Sequence, residues 1–168
     1  MSEIINKLSS YNIFNYLFTG IVFIILSKIL LDMDIYIKLN ERESNVVIDI
    51  FWAYFVGLTI SRIGSLIIEP LFKKIIKTKS YSKFIKVEKI DSKLSLLSEQ
   101  NNIYRTLIAL FFTLLVLYFI KFKLQYNGTL LIIISLFLIY SVSYLKQTKY
   151  IVKRIETILK QGDNDGNC

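Results

Sequence analysis

Residues 103–120 have the sequence IYRTLIALFFTLLVLYFI, in which Arg105, in the first turn, is the only charged side chain. An α-helix rises 1.5 Å per residue, so a bilayer core of about 30 Å needs roughly 20 mostly apolar residues to cross it. A soluble domain would have to expose this run as a large apolar patch or bury all of it. The stretch therefore predicts a transmembrane helix.

Three other stretches meet the same criterion: residues 13–31, 46–68 and 129–145. The first holds Lys28 close to its end, where a long side chain can extend to the headgroups, and no small-residue cleavage pattern of a signal peptide comes after it. The last holds no charge. We predict an all-α integral membrane protein with four transmembrane helices in a single domain, residues 1–160.

The composition excludes several chemistries. Of the 168 residues, 54% are hydrophobic, none is histidine, and the only cysteine is Cys168. His/Cys zinc sites and Ser-His-Asp or Cys-His nucleophiles are therefore excluded. No glycine-rich phosphate loop or dinucleotide fingerprint is present. We expect no catalytic residues, no metal and no cofactor.

The positive charges predict the orientation, because cytoplasmic segments of membrane proteins are enriched in Lys and Arg. The segment 70–102 and the segment 146–160 are rich in lysine, whereas 32–45 mixes acidic and basic residues. Both chain ends and the loop 70–102 should therefore be cytoplasmic. The net charge of +8 is explained by topology and by the lipid bilayer as partner, so direct binding of duplex nucleic acid is not expected.

Short helices are expected in the cytoplasm. Residues 71–76 alternate apolar and lysine side chains at helical spacing, as a basic amphipathic helix would. A second short helix should cover 91–100, with Asp91 or Ser92 as its cap. Residues 146–160 should extend the fourth span as a cytoplasmic helix ended by Gly162, leaving 161–168 as a disordered tail.

The segment 60–70, ISRIGSLIIEP, places polar residues at the end of the second span. Arg62 and Glu69 are seven residues apart and should share a helix face, and Pro70 should kink or restart the helix. Charges at this depth are usually paired, so Glu69 should pair with Arg62 or with Arg105. The pair either ties the second helix to the third and fixes the topology, or it acts as a gate.

Small and polar residues mark two predicted helix contacts. Ser61 and Ser65 lie four residues apart, and Gly64 between them would let another helix approach closely. Near the start of the first span, Asn12, Asn15 and Thr19 fall on one helical face, with Gly20 beside them. These five polar side chains are candidates for helix packing or for lining a pore: Asn12, Asn15, Thr19, Ser61 and Ser65.

Three segments together resemble small four-span bacterial proteins associated with anti-phage defence operons, including the membrane effector of the Hailong type. They are YNIFNYL (11–17), ISRIGS through Glu69-Pro70 (60–70) and NNIYR (101–105). The resemblance implies a homo-oligomeric effector of the bacterial inner membrane. It also implies an ion-conducting pore controlled by a nucleotide-derived signal from a partner nucleotidyltransferase. Under it, Arg62, Glu69 and Arg105 are gate candidates, and the candidate contacts for a phosphate-bearing signal are Lys73, Lys74 and Lys77.

The sequence leaves three functional hypotheses. The first is a gated pore that disrupts the membrane potential in bacterial defence, which needs several copies because four spans with few charges cannot enclose a water path alone. The second is a non-conducting membrane anchor or adaptor that docks a cytoplasmic partner. The third is an enzyme acting on lipids, which the lack of a metal cluster or activated nucleophile disfavours.

Overall fold

The computed structural model describes residues 2–34, 46–76, 81–123 and 127–165, and the side chains of 13, 15–34, 46–76, 82–123 and 127–161. Within these ranges the fold is all-helical, without strands. The helices are α1 (Ser2–Leu31), α2 (Val46–Ile63), α3 (Glu69–Lys73), α4 (Tyr81–Glu88), α5 (Lys93–Phe122) and α6 (Gly128–Asp165), and a π-helical turn, Gly64–Ile68, joins α2 to α3.

Among the described residues, three continuous helical stretches are long and apolar enough to cross a membrane: Val46–Lys73, Lys93–Phe122 and Gly128–Gln161. Their mean hydropathy over the best window is 1.6, 2.1 and 2.1. The first predicted span lies in α1, whose apolar stretch Asn15–Leu31 is also helical but shorter. The all-helical class, with helices long and apolar enough to span a membrane, is thus confirmed, and the count of four spans stays a prediction.

Helices α1 and α2 cross at two glycines. A Cβ atom on Gly20 would lie 1.7 Å from the carbonyl oxygen of Ala53, and one on Gly57 would lie 1.8 Å from that of Tyr16. The two backbones therefore touch, which only glycine permits. The edge-to-face rings of Tyr16 and Tyr54, with centroids 5.7 Å apart, flank this crossing.

The main core lies where α5 meets the other helices. Its fully buried members include Leu31, Ile68, Ile108, Leu110, Leu114, Tyr118 and Ile133. Side chains from α1, the π-helical turn, α5 and α6 thus share one cluster. At one end of it, the Lys121 ammonium donates to the carbonyl oxygens of Leu31 (2.5 Å) and Asp32 (2.9 Å). This lysine satisfies carbonyls that the end of α1 leaves without a helical partner.

Pro70 explains the π-helical turn. Its ring clashes with the carbonyl four residues earlier and offers no N–H, and the chain widens just before it, where the Glu69 N–H donates to the Gly64 carbonyl five residues back. One extra residue in a turn rotates the next part of the helix by about 100° relative to a continuous α-helix. The expectation that Arg62 and Glu69 share a face is therefore wrong: Arg62 is exposed and Glu69 turns inward.

Beyond the spans, a second cluster joins α4, the start of α5 and the end of α6. Its buried members are Val87, Leu94, Ile151 and Ile155, with Phe84, Leu97, Ile158 and Leu159 packed against them. We call these eight residues the second core.

The predicted short helix over 91–100 is not a separate element, because α5 runs unbroken from Lys93 into the third span. Of the two expected caps, Asp91 accepts from the Lys93 N–H at 3.1 Å, and Ser92 makes no side-chain cap bond.

Two other boundaries differ from the prediction. The helix expected over 71–76 ends at Lys73, and α4 then covers Tyr81–Glu88. Helix α6 continues through Gly162 to Asp165, so the tail predicted to begin at 161 is helical as far as that residue. A single glycine costs a helix only about 1 kcal/mol, which a long helix tolerates. Residues 166–168 lie outside the described part.

Candidate functional site

The site is built around Glu69, at the lysine-rich end of the bundle, where α3, α5 and α6 meet. One oxygen of Glu69 accepts from the Arg105 guanidinium and the other lies 2.7 Å from the Lys73 ammonium. The Arg105 side chain is 16% exposed and that of Glu69 24%. Of the two ion pairs that the sequence allowed, the structure contains Glu69–Arg105.

Local structure positions each member. Lys73 lies one helical turn after Glu69, so an i,i+4 pair forms along α3. Gly64, on the π-helical turn, lets α5 come close, since a Cβ there would lie 3.3 Å from the Arg105 carbonyl oxygen. The predicted close approach at Gly64 is therefore present. The widened turn then brings Glu69 around to Arg105.

A cavity of about 370 Å³ opens beside this ion pair. Its polar lining comes from Glu69, Lys73, Ser98, Asn101, Asn102, Arg105, Tyr144 and Thr148, and its apolar lining from Phe84, Ile151, Val152 and Ile155. The Arg105 Nε is fully buried there without a hydrogen-bond partner. Buried donors normally have an acceptor, so the Arg105 side chain, which lines the cavity, is incompletely satisfied.

Helices α5 and α6 are held together across the cavity by side chains. The Thr148 hydroxyl contacts the Tyr144 carbonyl (2.8 Å) and the Asn101 amide oxygen (3.3 Å). The Tyr144 ring in turn packs edge-to-face on Phe72, with centroids 5.3 Å apart. A movement of α3 would therefore displace α6 through the contact between these two rings.

Arg62 lies away from this site. Its side chain is exposed on the opposite face of α2 from the buried Ala53, Gly57, Ile60 and Ser61. No acidic side chain in the described ranges forms an ion pair with it. Residues Phe51, Phe55, Thr59 and Leu66 are exposed on the same stripe. We call these five residues the outer face of α2.

The other predicted site residues are distributed over the fold. Asn15 and Thr19 are buried in α1 and Ser61 is buried in α2. The Ser65 hydroxyl donates to the Ser61 carbonyl at 3.2 Å, within its own helix. The helix-packing interpretation fits these positions better than a pore-lining one.

Of the three predicted phosphate contacts, Lys73 lines the cavity and Lys74 is exposed next to it. Lys77 lies outside the described residues, as does the side chain of Asn12.

Sequence reasoning singled out neither Tyr144 nor Thr148 as a site residue. A signal for both exists: Tyr144 and Thr148 lie four residues apart, and Asn101 lies four before Arg105, so each pair shares a helix face. Sequence reasoning also missed Gly57, whose spacing from Ala53 is the small-xxx-small pattern of close helix packing.

Within the described ranges, no group of three or more His, Cys, Asp or Glu side chains converges as metal ligands would. The interactions observed at the site are ion pairs and hydrogen bonds. Comparisons with protein-family models, with curated proteins and with solved structures find no match.

Proposed function

We propose that the chain is a four-span protein of the bacterial inner membrane, with both ends cytoplasmic, which assembles as a homo-oligomer into a gated ion-conducting pore. The observation that carries this proposal is the exposed side chain of Arg62 within a helical stretch long enough to span the membrane. The lysine-rich end is then the cytoplasmic end.

A charged side chain facing lipid is costly, about 3 kcal/mol near a helix centre by insertion scales. Arg62 lies seven residues, about 10 Å along the helix axis, deeper than Glu69. To reach the headgroups, the side chain would have to extend along the helix past Leu66, which is also exposed. Charged residues within spans nearly always face a protein interior or a water-filled path, and the assembly of several copies supplies both.

The outer face of α2 has the side chains expected in the wall of a gated ion pathway. Phe51 and Phe55 are large and apolar, and rings of such residues from several copies can close a pore by excluding water. Thr59 and Arg62 come next toward the cytoplasmic end as the polar part. Ions could pass only when the apolar ring widens.

The gate in this proposal is the Glu69–Arg105 pair. Glu69 lies on the same continuous helix as the outer face, one π-helical turn away. π-helical turns are found frequently at functional sites, and a turn that reverts to α-helix rotates the flanking helix. Loss of the pair would free α3 to rotate relative to α5 and turn the outer face of α2. The sequence resemblance extends the proposal to loss of membrane potential in bacterial defence.

The test is ion flux from liposomes that contain the purified chain, monitored with a potential-sensitive dye. We expect Glu69→Gln to raise the leak because it releases the gate. The double variant with Arg62→Gln should change that leak by about tenfold, with a decrease for an anion and an increase for a cation, because a wall cation attracts anions and repels cations. Lys123→Gln on the Glu69→Gln background is the matched control, since Lys123 is exposed near the other end of α5.

Two outcomes of this experiment would contradict different parts of the proposal. Liposomes that stay tight with both the wild-type chain and Glu69→Gln would contradict the pore, provided that cross-linking shows the oligomer. A leak that Lys123→Gln and Arg62→Gln change equally would contradict the role of Arg62.

One observation favours an adaptor that docks a cytoplasmic partner as the second candidate. Near the residues of the second core in sequence, the side chains of Ile90 and Leu96 are 76% and 61% exposed, so each offers an apolar contact to a partner. If the adaptor is correct, Ile90→Ser with Leu96→Ser abolishes partner capture and leaves liposomes tight in every variant.

A further inference from the structure

We infer that the cavity beside Glu69 binds the phosphate of an anionic phospholipid headgroup from the cytoplasmic leaflet. This inference does not depend on conduction. It rests on the lining of the cavity, on its unbalanced charge and on its level along the bundle.

The charge in the cavity wall is unbalanced. Lys73 and Arg105 are both cationic, and Glu69 is the only acidic side chain among the described lining residues. One carboxylate therefore serves two cations, and one positive charge remains. The buried Arg105 Nε also lacks an acceptor. An anion bound here would balance the charge and supply acceptor oxygens close to the guanidinium.

Neutral donors surround the same space. Asn101, Asn102 and Ser98, whose side chains carry amide and hydroxyl donors, are among the lining residues. A phosphate presents several acceptor oxygens on one group, so it can accept from Lys73 and from these donors together. Phe84, Ile151 and Val152 give an apolar wall on which the carbon skeleton of a headgroup can pack.

The level of the cavity identifies the source of the phosphate. Glu69, Arg105 and Tyr144 lie at the ends of their spans, where the phosphates of the cytoplasmic leaflet are found in the proposed orientation. Basic pockets between transmembrane helices on this side are a known mode of binding anionic headgroups. The Lys73 side chain is 53% exposed, so the rim is open to a headgroup. A soluble phosphate could make the same ion pairs and hydrogen bonds, but it would not be held at the level of the lipid phosphates.

The experiment measures the Tm of the full chain in phosphatidylcholine nanodiscs, with and without phosphatidylglycerol, by circular dichroism. A bound lipid at roughly ten times its Kd should raise Tm by about 3–6 °C for a chain of this size. Lys73→Gln should remove most of this rise. Lys146→Gln, which removes an exposed lysine near the same level outside the cavity lining, should leave it unchanged.

Glu69→Gln gives the sharpest test because the expected sign is opposite. Removing the carboxylate should lower the basal Tm but increase the rise caused by phosphatidylglycerol, by about 2 °C or more, since both cations then face the phosphate. A residue with only a structural role would not produce that increase.

Three results would overturn the inference. The first is an equal rise in wild type and Lys73→Gln, and the second is a smaller rise in Glu69→Gln. The third is a rise with inorganic phosphate in phosphatidylcholine nanodiscs and none with phosphatidylglycerol, which would assign the cavity to a soluble phosphate. Liposome leak does not enter this readout, so failure of the pore proposal and failure of the lipid site remain distinguishable.

Discussion

Helix α2 meets its neighbours in two different ways. In the middle of its span, Gly57 meets Gly20 of α1 with backbone against backbone. At its lysine-rich end, the chain meets α5 through Gly64 and the Glu69–Arg105 pair, with a cavity alongside. The first contact is dry and tight, and the second is polar and incompletely filled.

This difference indicates which part of the molecule can change its conformation. A contact between two backbones has no alternative arrangement of similar energy, because close packing resists continuous deformation. The side chains of an ion pair beside a cavity can instead bind a ligand or water with only a small change in free energy. We therefore expect the glycine crossing to act as a fixed pivot and the polar end to be the part that responds to signals.

The largest effect should come from Gly57→Ala. The added Cβ would overlap the Tyr16 carbonyl, so α1 and α2 must separate, at a cost of about 3 kcal/mol or more. Trp52, the only tryptophan in the chain, lies on α2 five residues before Gly57 and reports the crossing by fluorescence during unfolding in detergent.

Two other glycines are matched controls for this measurement. Gly64→Ala meets its nearest atom at 3.3 Å, and Gly128→Ala meets nothing within 4 Å. We expect losses of about 1 kcal/mol for the former and within about 0.5 kcal/mol for the latter. Equal stability of all three variants would show that the crossing is not a fixed contact.

The next effect tests the polar end. Glu69→Gln should cost about 3 kcal/mol, because it leaves the largely buried Arg105 charge without its partner. Arg105→Gln should cost less, because Glu69 keeps its ion pair with Lys73. The double variant should lose less than the sum, with a coupling energy of roughly 1–3 kcal/mol in unfolding experiments. Additive losses would mean that the two side chains act independently, and the contrast with the glycine crossing would lose its basis.

The three long apolar helices could be predicted from the sequence because apolar length is a property of the chain alone. The run from 103 to 120 needs no partner to be recognised, and the pairing of Glu69 with Arg105 could be expected from depth and sign. The face of Arg62 could not be predicted, because the rotation depends on how the helix accommodates Pro70. The clash could have been relieved by a kink instead of a π-helical turn. The cavity likewise depends on how α5 and α6 pack, which periodicity does not determine.

The smallest expected effect tests whether the second core is energetically coupled to the Glu69–Arg105 pair. Arg154 Nε donates to Asp91 at 2.5 Å, and this hydrogen bond lowers the pKa of Asp91 below its ordinary value. A lowered pKa means that the folded state holds the carboxylate more strongly than the unfolded state does. The stabilisation is therefore complete at neutral pH and is lost as pH falls through the lowered pKa.

We expect Asp91→Asn to be slightly less stable than wild type at neutral pH, since the pair is near the surface. The gap in Tm should stay constant down to about pH 5, narrow as pH falls through the ordinary Asp pKa of about 3.9, and close only below the lowered pKa of folded Asp91. If the second core is a separate unit, the same substitution leaves the Glu69–Arg105 coupling energy unchanged. A change in that coupling energy would show instead that the second core affects the Glu69–Arg105 pair, because α5 begins at the cap made by Asp91 and carries Arg105 on the same continuous helix.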